Sequence, residues 1–80
     1  VKRIGRDRFL RNVLIAIGNS GDISLAADAR RLLDDANPLV RGAAVWALSR
    51  LLPRAEFVAL ADVSNDNDED VREEWTAALA

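Results

Sequence analysis

Asn37-Pro38-Leu39-Val40-Arg41-Gly42-Ala43-Ala44-Val45-Trp46-Ala47-Leu48 is answered 31 residues later by Asp68-Glu69-Asp70-Val71-Arg72-Glu73-Glu74-Trp75-Thr76-Ala77-Ala78-Leu79. The apolar positions Val40, Ala44, Ala47 and Leu48 meet Val71, Trp75, Ala78 and Leu79. Their i, i+4, i+7, i+8 spacing is one face of an α-helix. Asn37 is a natural N-cap and Pro38 suits the first helical position, where its missing N–H costs nothing. Asp68 takes the capping place one repeat later, and Glu69 and Asp70 suit the positive end of the helix that follows. Applied backwards, the same shift pairs Phe9 with Val40, Val13 with Ala44, Ala16 with Ala47 and Ile17 with Leu48. Leu10 then stands where the later copies have Arg41 and Arg72.

Two further helical segments lie between these copies. Residues 24–33 carry Leu25, Ala29, Leu32 and Leu33, and residues 54–63 carry Phe57, Leu60 and Ala61. Gly18-Asn19-Ser20-Gly21 is read as a helix-ending turn, since Gly and Asn tolerate a left-handed cap. The other reading, a phosphate-cradling loop, is opposed by the charge of Asp22 and by the lack of a preceding strand. Asp22 can cap the second helix, and Pro53 parts the third from the fourth. Every connection is a few residues, as antiparallel neighbours require. The pattern is that of an all-α, HEAT-like α-solenoid of about five helices, two and a half antiparallel hairpins. In such folds no hairpin buries its apolar face alone and neighbours stack into one core. The first helix is apolar almost all round and is expected to be sandwiched, with Phe9 in the core. Trp75 and Leu79 are expected to pack back on the fourth helix or under a further chain. Trp46 and Trp75 read as core or interface packing, with a binding surface as the other reading. Arg41 is expected to reach Asp34 or Asp35, and Arg72 to reach Asp66, as ties between repeats.

Composition limits the chemistry. Half of the 80 residues are apolar and 30% are charged, which suits one small globular domain over residues 1–80. The chain has no Cys, no His and no Tyr. Disulfides, thiolate metal sites and nucleophilic dyads built on Cys or His are therefore excluded within it. No apolar run approaches the roughly 20 residues that span a bilayer. A cytoplasmic location is expected. The chain starts at Val1 and contains no Met, so it is expected to be a segment of a longer protein.

Charge is unevenly placed. Residues 1–11 hold five cations and one acid, a local net of +4, whereas the rest hold six cations and twelve acids, a net of −6. Lys2, Arg3, Arg6, Arg8 and Arg11 are the candidate nucleic-acid-binding residues, because clustered guanidinium forks match phosphate oxygens. Docking onto another domain is the competing use of the same cations. Contact to a nucleic-acid backbone and its shape is expected rather than base stacking. A second candidate is acidic: Asp62, Ser64, Asp66, Asp68, Asp70 and Glu73 have the ligand spacing of an EF-hand calcium loop. Asn67 stands where that loop has Gly, and Glu69 where an apolar residue belongs. The repeat accounts for the same residues as a polar turn and an acidic helix start.

At residues 2–22 and 37–51 the sequence becomes more specific. The block Arg11-Asn12-Val13-Leu14-Ile15-Ala16-Ile17-Gly18-Asn19-Ser20-Gly21-Asp22, with Val40-Arg41-Gly42-Ala43-Ala44-Val45-Trp46-Ala47-Leu48, resembles the C-terminal helical-repeat region of tRNA epoxyqueuosine reductases. These are often named iron–sulfur cluster-binding proteins. The resemblance covers essentially the whole chain. It implies a parent oxidoreductase of queuosine biosynthesis and tRNA processing, with a cobalamin-binding catalytic domain and a ferredoxin-like domain holding two [4Fe–4S] clusters. It implies that catalytic and cluster-binding residues lie upstream. No cofactor is expected in these 80 residues, whose role would be to position tRNA and to pack on the catalytic and ferredoxin-like domains. The alternative is a HEAT-like scaffold for protein–protein interaction that does not bind nucleic acid.

Overall fold

The computed structural model describes residues 3–80, with side chains from Gly5 onward. Five α-helices follow one another: α1 (Arg3–Ser20), α2 (Ala26–Arg31), α3 (Pro38–Leu51), α4 (Arg54–Val63) and α5 (Glu69–Leu79). The described residues contain no strand. The second helix is shorter than residues 24–33, because 3-10 turns at Ile23–Leu25 and Leu32–Asp34 flank it.

The caps act where the sequence places them. The Asn37 side chain accepts from the Leu39 N–H at 2.8 Å, and Pro38 opens α3. The Asp68 carboxylate accepts from the Val71 N–H at 3.1 Å. Both satisfy N–H groups that the first helical turn leaves without a backbone partner. α1 runs on through Gly18 to Ser20, and the break comes at Gly21, whose φ of +69° favours glycine.

α3 is the centre of the stack, with α1 on one side and α5 on the other. Its residues Val40, Ala44, Val45, Ala47 and Leu48 are fully buried. Leu14 and Ile17 of α1 and Val71 and Trp75 of α5 close on them. Each large aliphatic side chain withdrawn from water in this way contributes about 1.5–3 kcal/mol. Trp75 packs back on α4 as expected, stacked on Phe57 with ring centroids 5.2 Å apart.

Two expectations for α1 are corrected. The helix is not sandwiched, and Phe9 is not core: it is 66% exposed. The apolar match between α1 and α3 falls at a spacing of 30, one residue less than the α3 to α5 spacing. Leu14 then aligns with Ala44, Ile17 with Ala47 and Gly18 with Leu48, all buried. The unbroken apolar run Val13-Leu14-Ile15-Ala16-Ile17 fits either register by pattern alone. Asp7 decides between them, because it is 5% exposed and lies where Asn37 lies in the next copy. In this register Arg11, not Leu10, is the counterpart of Arg41 and Arg72.

Gly18 faces α3 so closely that a Cβ there would lie 2.5 Å from Trp46 Cζ3 and 3.2 Å from Ala47 Cα. At Gly42 a Cβ would meet only Glu74 Cγ, at 3.8 Å. Both glycines are helical, so the same substitution separates packing from propensity. Gly18→Ala is expected to destabilise by about 1–2 kcal/mol, the overpacking outweighing the gain in helix propensity. Gly42→Ala is expected to stabilise by about 0.5–1 kcal/mol. Urea unfolding of the two variants beside the parent checks the opposite signs.

Candidate nucleic-acid interface on the first helix

The five cations singled out in the sequence do not act as one cluster. Lys2 lies outside the described residues, as does the side chain of Arg3. Arg6 is committed to the fold. Its Nη2 donates to Asp35 Oδ1 at 2.6 Å and its Nη1 to Asp7 Oδ1 at 3.0 Å. The Asp35 hydrogen bond, more than burial opposes, raises the Arg6 pKa further above its ordinary value. Asp7 in turn accepts from Asn37 Nδ2 at 2.6 Å, so the residue that caps α3 is held by a buried carboxylate of α1. Arg6 therefore ties α1 to the loop before α3.

Arg8 and Arg11 are exposed and make no ion pair among the described residues. Three residues apart on α1, they share one side of the helix. They are the two described candidates whose full donor sets are open to a phosphate.

Arg41 shows what the equivalent position does in the second copy. Its Nε donates to Asp66 Oδ2 at 2.8 Å and its Nη2 to Asp66 Oδ1 at 3.3 Å. Its Nη1 donates to the backbone carbonyls of Asp35 and Ala36 at 2.9 and 3.1 Å. The tie between repeats is present at Arg41, with one correction, whereas Arg72 makes no ion pair with Asp66 among the described residues. Arg41 takes carbonyls, not carboxylates, from the turn before it, and its acid comes from the loop after α4. Burial pushes the Asp66 carboxyl up, but the Arg41 hydrogen bond, the Asp68 N–H and the charges of Arg41 and Arg72 outweigh it and leave the pKa lowered. Asp66 also accepts from the Asp68 N–H at 2.9 Å, just as Asp35 accepts from the Asn37 N–H at 3.0 Å.

These bonds also account for much of the acidic segment. Asp66 serves Arg41, Asp68 caps α5, and Asp62 sits on α4. Among the described residues no three His, Cys, Asp or Glu side chains gather as a metal would require. Residues 18–20 are the last turn of α1 rather than a loop, and the break at Gly21 is closed locally: Ser20 Oγ donates to the Ile17 carbonyl at 2.6 Å and accepts from the Asp22 N–H at 3.0 Å. The Ser24 hydroxyl and N–H both donate to Asp22 and lower its pKa.

Sequence reasoning missed a groove of about 460 Å³ between α1 and α3, lined mainly by carbon. Arg11, Ile15 and Asn19 form one wall, Leu39 and Trp46 the other, and Glu74 of α5 reaches its edge. Trp46 is half-buried there, with the Arg50 guanidinium 5.7 Å from its ring centroid. Small residues at 42 and 43, between Leu39 and Trp46, were the signal that could have found it.

The family model described as HEAT repeats matches residues 6–80. An epoxyqueuosine reductase from Shewanella oneidensis is 38% identical over 53 residues. That match takes in 62% of this chain and 14% of the relative, so the chain spans a small part of that protein's length. No solved structure matches. Among the described residues no helix is long and apolar enough to cross a membrane.

The lowered Asp66 pKa fixes the sign of an acid effect. A carboxylate whose folded pKa lies below its unfolded value of about 4 contributes stability above that value, and the contribution is lost as pH falls through the folded pKa. Unfolding free energy measured from pH 7 to 2 is expected to drop below about pH 4. In Asp66→Asn, which starts less stable, that limb is expected to be flatter. Parallel curves for the two proteins would remove Arg41–Asp66 as a source of the effect.

Proposed function

The chain belongs to the HEAT-repeat family, and on that premise we propose that it is a non-catalytic repeat module of an epoxyqueuosine reductase-like protein, positioning tRNA with the basic side of α1. The observation that carries the reading is the pair Arg8 and Arg11, exposed on one side of α1 and without an ion pair among the described residues. The similarity to part of the Shewanella epoxyqueuosine reductase supports the link to a protein of that kind. On this reading the two exposed guanidinium groups bind backbone phosphates and set the orientation of a stem, without reading bases. Lys2 and Arg3 extend the same basic segment in sequence. Arg6 belongs to the reading as a positioning residue: by holding Asp35 and Asp7 it fixes the start of α1 on the loop before α3.

The chemistry of the parent lies elsewhere on this reading. With no Cys and no His, nothing in the chain fits an iron–sulfur cluster. The proposed clusters, the cobalamin and the reductive step belong to other domains, against which this module packs.

Binding of the chain to tRNA bearing a GUN anticodon, at two salt concentrations, tests the proposal. The affinity is expected to fall steeply with salt. Arg8→Ala with Arg11→Ala is expected to weaken binding about tenfold or more and to flatten the salt slope by roughly 1–2, one for each lost phosphate contact. Arg6→Ala is expected to lower the melting temperature first. Equal affinity of the parent and the doubly substituted chain, both folded, would reject the assignment.

A further inference from the structure

We infer that the groove between α1 and α3 docks a helical segment of a partner protein, one with an apolar ridge, a carboxylate on one edge and a cation on the other. Arg11, Ile15 and Asn19 are spaced by four along α1, and Leu39, Ala43 and Trp46 follow the parallel stripe on α3. Two such stripes make a straight channel roughly 12 Å long, at 1.5 Å per residue, or about two turns of an incoming helix. Gly42 and Ala43 leave its floor bare. The exposed Leu39 and the half-buried Trp46 offer the apolar contacts that anchor a helix in a groove.

Charge decides the kind of occupant. Arg11 on one wall and Glu74 at the opposite edge make no ion pair among the described residues. A nucleic-acid strand carries one sign of charge, so it would be repelled at Glu74 and would meet mostly carbon on the walls. A helix with an acid on one edge and a base on the other matches both sides and covers the apolar strip between them. The inference goes beyond tRNA positioning but meets it at one residue. Arg11 belongs to both surfaces, whereas Arg8 lies outside the groove and Ala43 lies within it. The partner helix and tRNA therefore compete for Arg11.

The test uses a fluorescein-labelled amphipathic peptide of 18 residues, with Leu at i, i+3, i+4 and i+7, Glu along one edge and Lys along the other. A control peptide keeps the Leu ridge and carries Lys on both edges. Ala43→Leu fills the groove without changing charge, and Leu39→Ala removes an exposed wall with little effect on folding, which circular dichroism confirms. The mixed-edge peptide is expected to bind at least tenfold more tightly than the control. It is expected to lose tenfold or more on Ala43→Leu and several-fold on Leu39→Ala, and to be displaced by tRNA. Equal binding of the two peptides, or binding indifferent to Ala43→Leu and Leu39→Ala, overturns the inference. So does loss of tRNA binding on Ala43→Leu without any peptide binding, which would give the groove to nucleic acid. Peptide binding with no tRNA binding at low salt would instead sink the tRNA proposal and leave the groove standing.

Discussion

One guanidinium holds two loops of this molecule. Arg41 sits in the first turn of the central helix, takes two carbonyls from the loop before it and grips both oxygens of Asp66 in the loop before α5. A planar group with five donors can make these bonds at once, where an ammonium would act as a point charge. The acid it grips is itself fixed by the Asp68 N–H, and Asp68 caps α5. The order of events in space is thus arginine, aspartate, cap, helix. The same order stands one repeat earlier with Arg6, Asp35, Asn37 and α3. Stacking of short helices needs such a device, because apolar contact sets how close two helices lie but is weakly directional about register.

The first copy adds a buried carboxylate. Asp7 lies between α1 and the start of α3, served by Arg6 and by the amide of Asn37. Asn37 spends its oxygen on the cap and its nitrogen on Asp7, so the start of α3 and its register on α1 are one constraint. A buried carboxylate stripped of one partner keeps its desolvation cost, and this makes the pairing specific as well as favourable. At the far end of the same contact Gly18 lets α1 close on Trp46 and Ala47. Polar register at one end and a missing side chain at the other fix the slide of α1 along α3.

Local signals were the legible ones. Asn37-Pro38, Pro53 and Asp68 each name a helix start by chemistry that acts within three residues, and α3, α4 and α5 begin there. The repeat between α3 and α5 could be read because the capping residues Asn37 and Asp68, 31 residues apart, phase the apolar positions that follow them. The basic start of α1 offers no such mark. Phe9, Leu10, Val13, Leu14, Ile15 and Ile17 circle the helix, and only the tertiary pairing of Asp7 shows which of them is core. That misphasing placed Phe9 inside and Leu10 opposite Arg41. The cations were legible as a group but not as individuals, since the partner of Arg6 lies 29 residues away. The groove was hidden for a similar reason: its walls come from two helices and its edge from a third.

The corrected phase changes the meaning of Arg11. In the second copy its counterpart Arg41 is consumed in holding Asp66, the acid of the next loop. By repetition Arg11 would hold Asp35, yet Asp35 is gripped by Arg6, from the first turns of α1. The structural duty has moved five residues towards the N-terminus, and the arginine left in the repeat position faces outward at the mouth of the groove. A solenoid built from near-copies frees a fold residue in this way, by supplying its duty from elsewhere. Arg8 stands beside it with no duty in the core. The charge asymmetry of the chain, basic at α1 and acidic beyond it, is therefore a matter less of the number of cations than of which of them the loops have left free.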